Sequence, residues 1–150
     1  MFWKGAEMTE DPTVTDIKKI LALFNDKKYI TSLDMDAISR LQVSLAVHNA
    51  RLGEMVAKDE KISKEATANY EFKREQIYYN HRQSGKTGAD SDNLKRIEAE
   101  SDRQFAIERE YEFKLKANLR KDVMNLIEAV RSRLSLLKDE RRTSNETQNT

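Results

Sequence analysis

Proline and glycine are so rare in this chain that they restrict its secondary structure to long helices. The 150 residues include one Pro and four Gly, and Gly53 is the only one of these between Asp34 and Gln83. Strands and tight turns usually depend on such residues at their ends, whereas an uninterrupted stretch continues as one helix. The sequence therefore predicts an all-α fold, a long antiparallel coiled-coil-like helical hairpin with a short N-terminal helix.

The composition predicts that this hairpin is thin and assembles with further copies. Charged residues make up 35% of the chain and hydrophobic residues 38%, compared with about 25% and about 45–50% in ordinary globular proteins. Such a chain covers one side of each helix with apolar groups but does not fill a thick core. Coiled coils and bundles completed by partner subunits have this character. We therefore expect a homo-oligomer.

Capping and turn residues predict the boundaries of the elements. A flexible arm at 1–12 precedes a short helix at about 13–25, which Thr13 or Thr15 caps and which carries Ile17, Ile20, Leu21 and Phe24 at helical spacing. A connector at 27–30 leads to a long helix at about 33–83, and a turn at 84–91 offers Asp90 or Ser91 as the next cap. The second long helix is predicted at about 92–140, which closes a domain of residues 13–142. Residues 143–150 have no apolar content, which predicts a disordered tail.

Both long helices have a seam with the 3–4 spacing of coiled coils. The seam of the first is Ile38, Leu41, Leu45, His48, Leu52, Met55, Asp59, Ile62, Ala66, Asn69 and Lys73. That of the second is Leu94, Ile97, Ser101, Phe105, Ile107 or Glu108, Tyr111, Leu115, Leu119, Val123, Leu126, Val130 and Leu134. Both become polar towards the turn, which predicts a hydrophobic base and a charged tip. Gly53, inside the first seam, is expected where another backbone approaches closely.

The predicted base contains more apolar residues than two helices need. We expect the surplus to hold an oligomer together through the last helix, by way of Leu126, Ile127, Val130, Leu134 and Leu137. The alternative is a closed three-helix monomer, in which the short N-terminal helix covers these residues.

The sequence indicates no catalytic, metal or cofactor site, and we expect the protein not to be an enzyme. Gly85-Lys86-Thr87 has three letters of a phosphate-binding loop, but Asn80 stands where the motif requires its first Gly. His48 and His81 are too far apart to share a metal, and zero Cys excludes thiolate ligands and disulfides. A net charge of +1 and the lack of an apolar run of bilayer length predict a cytoplasmic protein that does not bind membranes.

Aromatic and basic residues alternate near the predicted turn. Cations hold phosphates and aromatic rings stack on bases, which is the combination that single-stranded nucleic acid requires. The candidate contacts to single-stranded DNA are Lys73, Arg74, Tyr78, Tyr79, Arg82, Lys86, Lys95 and Arg96. The alternative is that Tyr70, Phe72 and the Tyr pair fill the seam while the cations pair with Glu71, Glu75, Glu98 and Glu100.

Two segments of the chain follow patterns found together in a known family. The first is Ile127-Glu128-Ala129-Val130-Arg131-Ser132-Arg133, followed by a charged helical end. The second is Lys73, then Tyr78-Tyr79, then Gly85, which gives a Lys, a Tyr pair and a Gly-containing turn in that order. In both segments the chain resembles the UvsY family, the recombination mediator proteins of large tailed phages, and the first segment is similar to the family's C-terminal segment. The family's second basic residue lies two after the Lys, where this chain has Glu75, with Arg74 the nearest substitute.

The resemblance spans roughly Leu33 to Arg142 and implies a function without chemistry of its own. It implies a closed ring of several subunits that binds single-stranded DNA, remodels the single-strand-binding protein and loads a RecA-like recombinase. The alternative left open is a structural or scaffolding phage protein that acts through protein–protein contacts.

Overall fold

A computed structural model of the chain describes residues 10–25 and 27–149. Within these residues the fold is all-α, as predicted, and contains no strand. The helices are α1 (Pro12–Phe24), α2 (Lys27–Ser32), α3 (Met35–Gln83), α4 (Gly88–Glu98) and α5 (Glu100–Gln148). Most of the predicted N-terminal arm, residues 1–9, lies outside the described residues, as does Thr150.

Two helices begin earlier than the sequence predicts, each with a different cap. Asp11 caps α1, because its side chain accepts a hydrogen bond of 2.8 Å from the Thr13 backbone N–H. Pro12 then occupies the first helical position, where its missing N–H costs nothing. Thr87 caps α4 by accepting from the Asp90 backbone N–H at 3.2 Å. The predicted caps Thr13, Thr15, Asp90 and Ser91 therefore lie inside helices.

The predicted connector at 27–30 is part of the short helix α2. The Thr31 hydroxyl donates to the Lys28 carbonyl oxygen at 2.9 Å, and the Ser32 hydroxyl to the Tyr29 carbonyl oxygen at 2.7 Å. Asp34 then starts α3 by accepting from the Ala37 N–H at 2.8 Å. The helix that follows is a single uninterrupted element from Met35 to Gln83.

The second long helix is divided by a single residue, Ala99. Its φ of −94° and ψ of 4° leave the helical region, yet the backbone hydrogen bonds from Ala99 to Lys95 and from Arg103 to Ala99 are both 3.0 Å. Beyond the break, α5 runs on to Gln148, so the predicted disordered tail is helical through that residue. Its polar side chains bond along the helix: the Thr147 hydroxyl donates to the Thr143 carbonyl oxygen at 2.7 Å, and Arg142 pairs with Glu146 at 3.1 Å.

The chain divides into two compact units, residues 1–53 with 119–150 and residues 54–118. The first, here the aliphatic unit, has a core of branched and aliphatic side chains contributed by α1, α3 and α5. Its buried residues are Val14, Ile17, Ile38, Leu45, Leu52, Val123, Leu126, Val130 and Leu134. The rings of Phe24 and Tyr29 add an edge-to-face contact with centroids 5.0 Å apart.

The second, here the polar unit, buries only small side chains among its described residues. They are Ser63, Ala66, Ser91, Ala99 and Ala106. Charged groups lie beside them, since Asp59 and Lys116 form an ion pair with side chains only 18% and 23% exposed. This unit therefore gains little stabilisation from the burial of apolar area, which scales with the area removed from water.

The predicted seam matches the buried residues in the aliphatic unit and only part of them in the polar unit. Ile38, Leu45 and Leu52 are fully buried on α3, and Val123 and Val130 on α5. In the polar unit, Ala66 of the predicted seam is buried, whereas Ile97, Phe105, Tyr111 and Leu115 are 47–70% exposed. Ala99 and Ala106, which the predicted seam does not contain, are buried and lie seven residues apart.

The residues predicted to hold an oligomer are largely used within one chain. Leu126, Val130 and Leu134 are at most 8% exposed in the aliphatic unit, and Ile127 and Leu137 are half-buried. Contact of these residues with a second subunit stays a prediction, and Ile127 and Leu137 are the members of the set that keep accessible surface.

Candidate nucleic-acid interface

The turn between α3 and α4 depends on one glycine with a left-handed backbone. Gly85 has a φ of +89°, which L side chains rarely adopt. The N–H of Gly85 donates to the Arg82 carbonyl oxygen and that of Lys86 to the His81 carbonyl oxygen, both at 3.1 Å. The Arg82 guanidinium donates in return to the Lys86 carbonyl oxygen at 3.1 Å. The last turn of α3 and the following residues are thereby held in one conformation.

Three predicted residues form an exposed set at this turn, here called the turn surface: Tyr79, Arg82 and Lys86. Tyr79 is 61% exposed, and Arg82, three residues later on α3, shares its side of the helix. Within the described part of the chain, no carboxylate lies at ion-pair distance from Arg82 or Lys86. An exposed ring and two unneutralised cations are therefore available to a ligand.

Lys73 and Arg74, by contrast, have partners within the polar unit. The Lys73 Nζ lies 2.7 Å from an Asp102 carboxylate oxygen. The Arg74 guanidinium lies over the Tyr70 ring, 5.6 Å from its centroid, and its Nε is 3.5 Å from a Glu75 carboxylate oxygen. These contacts agree with the alternative in which cations near the turn neutralise acidic neighbours.

Lys95 and Tyr78 likewise contact each other, through a cation–π interaction. The Lys95 Nζ lies 5.0 Å from the Tyr78 ring centroid, 3.2 Å from Asp92 and 3.8 Å from Glu75. One face of the half-buried Tyr78 ring is therefore covered by an ammonium group. Tyr79 is the member of the Tyr pair whose ring is open to stack on a base.

A groove opens between α3 and the residues on both sides of the Ala99 break. It has a volume of about 510 Å³ and is lined by Tyr70, Arg74, Asp92, Asn93, Lys95, Arg96, Glu100 and Arg103. We call it the basic groove, because four of its lining residues are cationic and two are acidic. Arg96 contacts Asn93 at 3.1 Å, and among the described residues no carboxylate lies at ion-pair distance from it.

Glu100 is the acidic residue that most directly limits the charge of this groove. Its carboxylate accepts hydrogen bonds from Gln104 at 2.9 Å and from Arg103 at 3.2 Å. The hydrogen bond from Gln104 is the largest cause that lowers the pKa of Glu100 below its ordinary value. Desolvation is the next largest effect and opposes it, and the charge and hydrogen bond of Arg103 lower the pKa further. Glu100 is consequently ionised at neutral pH and occupies one face of Arg103.

The eight predicted contact residues do not form one surface. Arg74 lines the groove, and Tyr79, five residues later on α3, points about 140° away from it at 3.6 residues per turn. Lys95 and Arg96 belong to the groove, whereas Arg82 and Lys86 belong to the turn. Lys73 and Tyr78 are held by their neighbours.

Two exposed residues of the polar unit were missed by the sequence-based site. Arg103 lines the groove although it lies beyond the turn-proximal cluster, and its position seven residues after Arg96 was the available signal, since that spacing returns to one side of a helix. Phe72 was expected in the seam but is 70% exposed, on the same side of α3 as Tyr79.

In the part of the chain that the structure describes, no group of three or more His, Cys, Asp or Glu is placed to hold a metal ion. His81 instead contacts Glu98 at 3.0 Å, and the His48 Nδ1 lies 2.7 Å from the Ser44 carbonyl oxygen. Across the same residues, none of the helices has an apolar stretch that could cross a bilayer.

Comparisons with known proteins assign no family to the chain. No protein-family model, curated protein or solved structure matches it.

Proposed function

We propose that the chain binds single-stranded DNA as a homo-oligomer and acts as a recombination mediator. In this role it helps to load a RecA-like recombinase onto strands coated with single-strand-binding protein, in the cytoplasm of a cell or of a phage's host. The mediator role comes from the resemblance to the UvsY family. It requires binding and release but no catalytic step and no cofactor.

The turn surface is the observation that carries the proposal. Tyr79 is 61% exposed beside two cations, Arg82 and Lys86, for which the described residues provide no carboxylate. An exposed aromatic ring in a folded protein costs solvation free energy, and stacking on a base recovers it. Unneutralised cations next to the ring supply the phosphate contacts that sequence-independent binding needs.

We further propose that α3 and the α4–α5 segment form an antiparallel hairpin. Cross-helix pairs support this arrangement within each unit: Asn49 with Arg120 in the aliphatic unit, and Lys73 with Asp102 and Asp59 with Lys116 in the polar unit. A ring of several copies would repeat the turn surface, and linked weak sites bind one long strand with much greater avidity. Of the predicted contacts between copies, Ile127 and Leu137 retain accessible surface.

Binding of fluorescent oligo-dT at increasing salt tests the DNA-binding step. Arg82→Ala/Lys86→Ala is expected to weaken binding and to lower the slope of log affinity against log salt by about 1.4, since each single-strand phosphate contact contributes about 0.7. Lys61→Ala/Lys64→Ala is the matched control, because it removes two exposed cations of the same unit that already pair with Glu65 and Glu60. Lys73→Ala/Arg74→Ala is expected to have a smaller effect than the turn variant. Absence of wild-type binding at low salt would overturn the proposal.

Two further measurements test the assembly and the mediator role. The native mass, with and without oligo-dT, is expected to exceed that of one 17.5 kDa chain. Recombinase filaments should form faster on protein-coated strands when the wild type is added, and not when the turn variant is added. A monomer under both conditions contradicts the ring.

A second candidate function is a structural or scaffolding role through protein–protein contacts. The observation that favours it is the apolar side of the polar unit, where Ile97, Phe105, Tyr111 and Leu115 are 47–70% exposed. Exposed apolar residues in such number are typical of surfaces that contact proteins. Phe105→Ser/Tyr111→Ser distinguishes the two roles, because it should release a protein partner and leave oligo-dT binding unchanged.

A further inference from the structure

We propose that the basic groove binds the phosphodiester backbone of a single strand without contacting its bases, with Arg96 and Arg103 as the principal contacts. This inference rests on the proposed function and adds further phosphate contacts on a second surface, separate from the turn. It also includes Arg103, which the sequence-based site did not contain.

The basic groove keeps a positive charge after the ion pairs of its lining residues are counted. Asp92 pairs with Lys95 at 3.2 Å, and Glu100 with Arg103 at 3.2 Å. Arg74 has only Glu75, which lies outside the groove lining and is shared with Lys95 at 3.8 Å. Arg96 has no carboxylate partner among the described residues. The lining residues therefore carry an excess of two positive charges, which Glu75 beside Arg74 and Lys95 reduces to one, and the groove attracts anions.

Most of the cations that line the basic groove are arginines, which suit phosphate better than lysine does. Three of the four are arginines, and a planar guanidinium donates paired hydrogen bonds that match the oxygens of a phosphate. Arg96 and Arg103 are seven residues apart, about 10.5 Å along a helical segment at 1.5 Å per residue. That separation places them at successive points along one strand rather than on a single small anion.

Among the described residues that line it, the basic groove has no open aromatic ring on which a base could stack. Tyr70 is the groove's one aromatic residue, and the Arg74 guanidinium already covers its ring at 5.6 Å. A base that stacked there would have to displace this cation. The groove thus offers charge and hydrogen-bond donors but no open aromatic face, which fits a backbone and excludes a stacked base.

The experiment measures the affinity of the full-length chain for dT20 and for U20 across a salt series. Arg96→Ala/Arg103→Ala is expected to raise Kd at least about tenfold and to lower the salt slope by about 1.4. Because the groove contacts phosphate and not sugar, the factor should be equal for the two strands. Lys61→Ala/Lys64→Ala again serves as the control of equal charge.

A variant that is expected to strengthen binding complements Arg96→Ala/Arg103→Ala, which weakens it, because a folding defect does not increase affinity. Glu100→Gln removes the carboxylate that occupies Arg103, so it should lower Kd and steepen the salt slope by up to about 0.7. Circular dichroism checks that all variants retain their helix content.

Wild-type binding tests the proposed function, and the effect of Arg96→Ala/Arg103→Ala tests the role of the basic groove. If the wild type binds but Arg96→Ala/Arg103→Ala behaves like the lysine control, the groove assignment is wrong and the turn surface alone holds the strand. A loss confined to one of the two strands contradicts phosphate contact. If the wild type binds neither strand, the proposed function itself fails.

Discussion

The guanidinium of Arg120 lies against the backbone of Gly53, so that a methyl group at Gly53 would be 3.0 Å from Nη2 and 3.1 Å from Cζ. The Nε of Arg120 also donates to the Asn49 Oδ1 at 3.5 Å. Gly53 was expected to allow another backbone to approach. The structure places the long side chain of Arg120 there instead.

Replacement of Gly53 by Ala is therefore expected to stabilise the protein. Ala in a helix interior is favoured over Gly by about 1 kcal/mol, and the obstructing atoms belong to the mobile end of Arg120, which moves a few tenths of an ångström at small cost. Urea unfolding should show a net gain of about 0.5–1 kcal/mol. In an Arg120→Ala background the full propensity gain should appear. A net loss in that background would show that Gly53 serves another purpose.

Leu45 and Val43 provide a matched pair for testing the core of the aliphatic unit. Leu45 is fully buried on α3, whereas Val43 is 66% exposed two residues earlier on the same helix. Leu45→Ala should lower the free energy of unfolding by about 2–5 kcal/mol, because it leaves a cavity as well as losing burial. Val43→Ala should change it by less than about 0.5 kcal/mol. Similar values for the two would contradict the assigned helix face.

Removal of one partner of the Asp59–Lys116 ion pair is expected to destabilise the protein, whereas replacement of both partners by apolar residues is expected to cost little stability. Each side chain is less than a quarter exposed, so Asp59→Asn or Lys116→Met leaves a poorly solvated partner and should destabilise by about 1–3 kcal/mol. Asp59→Leu/Lys116→Leu should recover most of this loss, as apolar replacements of buried pairs often do. Chemical denaturation of the singles and the double measures the coupling. The exposed pair Glu60–Lys64 is the control, and Glu60→Gln should have almost no effect.

The ionisation of Glu100 can be followed directly by NMR titration of its side-chain carbon. The hydrogen bond from Gln104, and then the neighbouring Arg103, lower its pKa, so the midpoint should lie below the ordinary value of 4.5. The stabilising interactions are fully present above pH 4.5 and are lost as the pH falls through the lower folded-state pKa. Gln104→Ala should move the midpoint up towards the ordinary value, whereas Gln76→Ala, elsewhere on the polar unit, should not. A wild-type midpoint at or above 4.5 contradicts the assigned hydrogen bonds.

Helix content and the aliphatic core were predictable because both depend on local sequence. The lack of Pro between Asp34 and Gln83 predicts the long helix α3, and the seven-residue spacing of Ile38, Leu45 and Leu52 identifies its buried face. Branched aliphatic residues at this spacing have one favourable position, away from water. For such residues the most apolar face and the buried face coincide.

The face of α5 in the polar unit was not predictable in the same way. Phe105 and Tyr111 carry more apolar surface than Ala99 and Ala106, yet the alanines are the buried residues. Hydrophobicity alone selects the wrong face there, because close approach of two helices favours small side chains and charged partners at their edges. Charge pairing in the candidate site was not predictable from sequence order either. That order groups Lys73 with Arg82, whereas among the described residues Asp102 pairs with Lys73 and no carboxylate lies at ion-pair distance from Arg82.

The break at Ala99 sets the direction in which the side chains of α5 point relative to those of α4. These two helices contribute most of the residues that line the basic groove. Arg96 precedes the break and Arg103 follows it, and both side chains line one cavity because the seven-residue spacing returns to one side of a helix and the single non-helical residue does not change that count. One extra alanine inserted after Ala99 would turn every later side chain by about 100° while helix content stayed constant. The direction of Arg103 is thus set by the number of residues between it and Arg96, and that number constrains the site as strictly as the identity of either arginine.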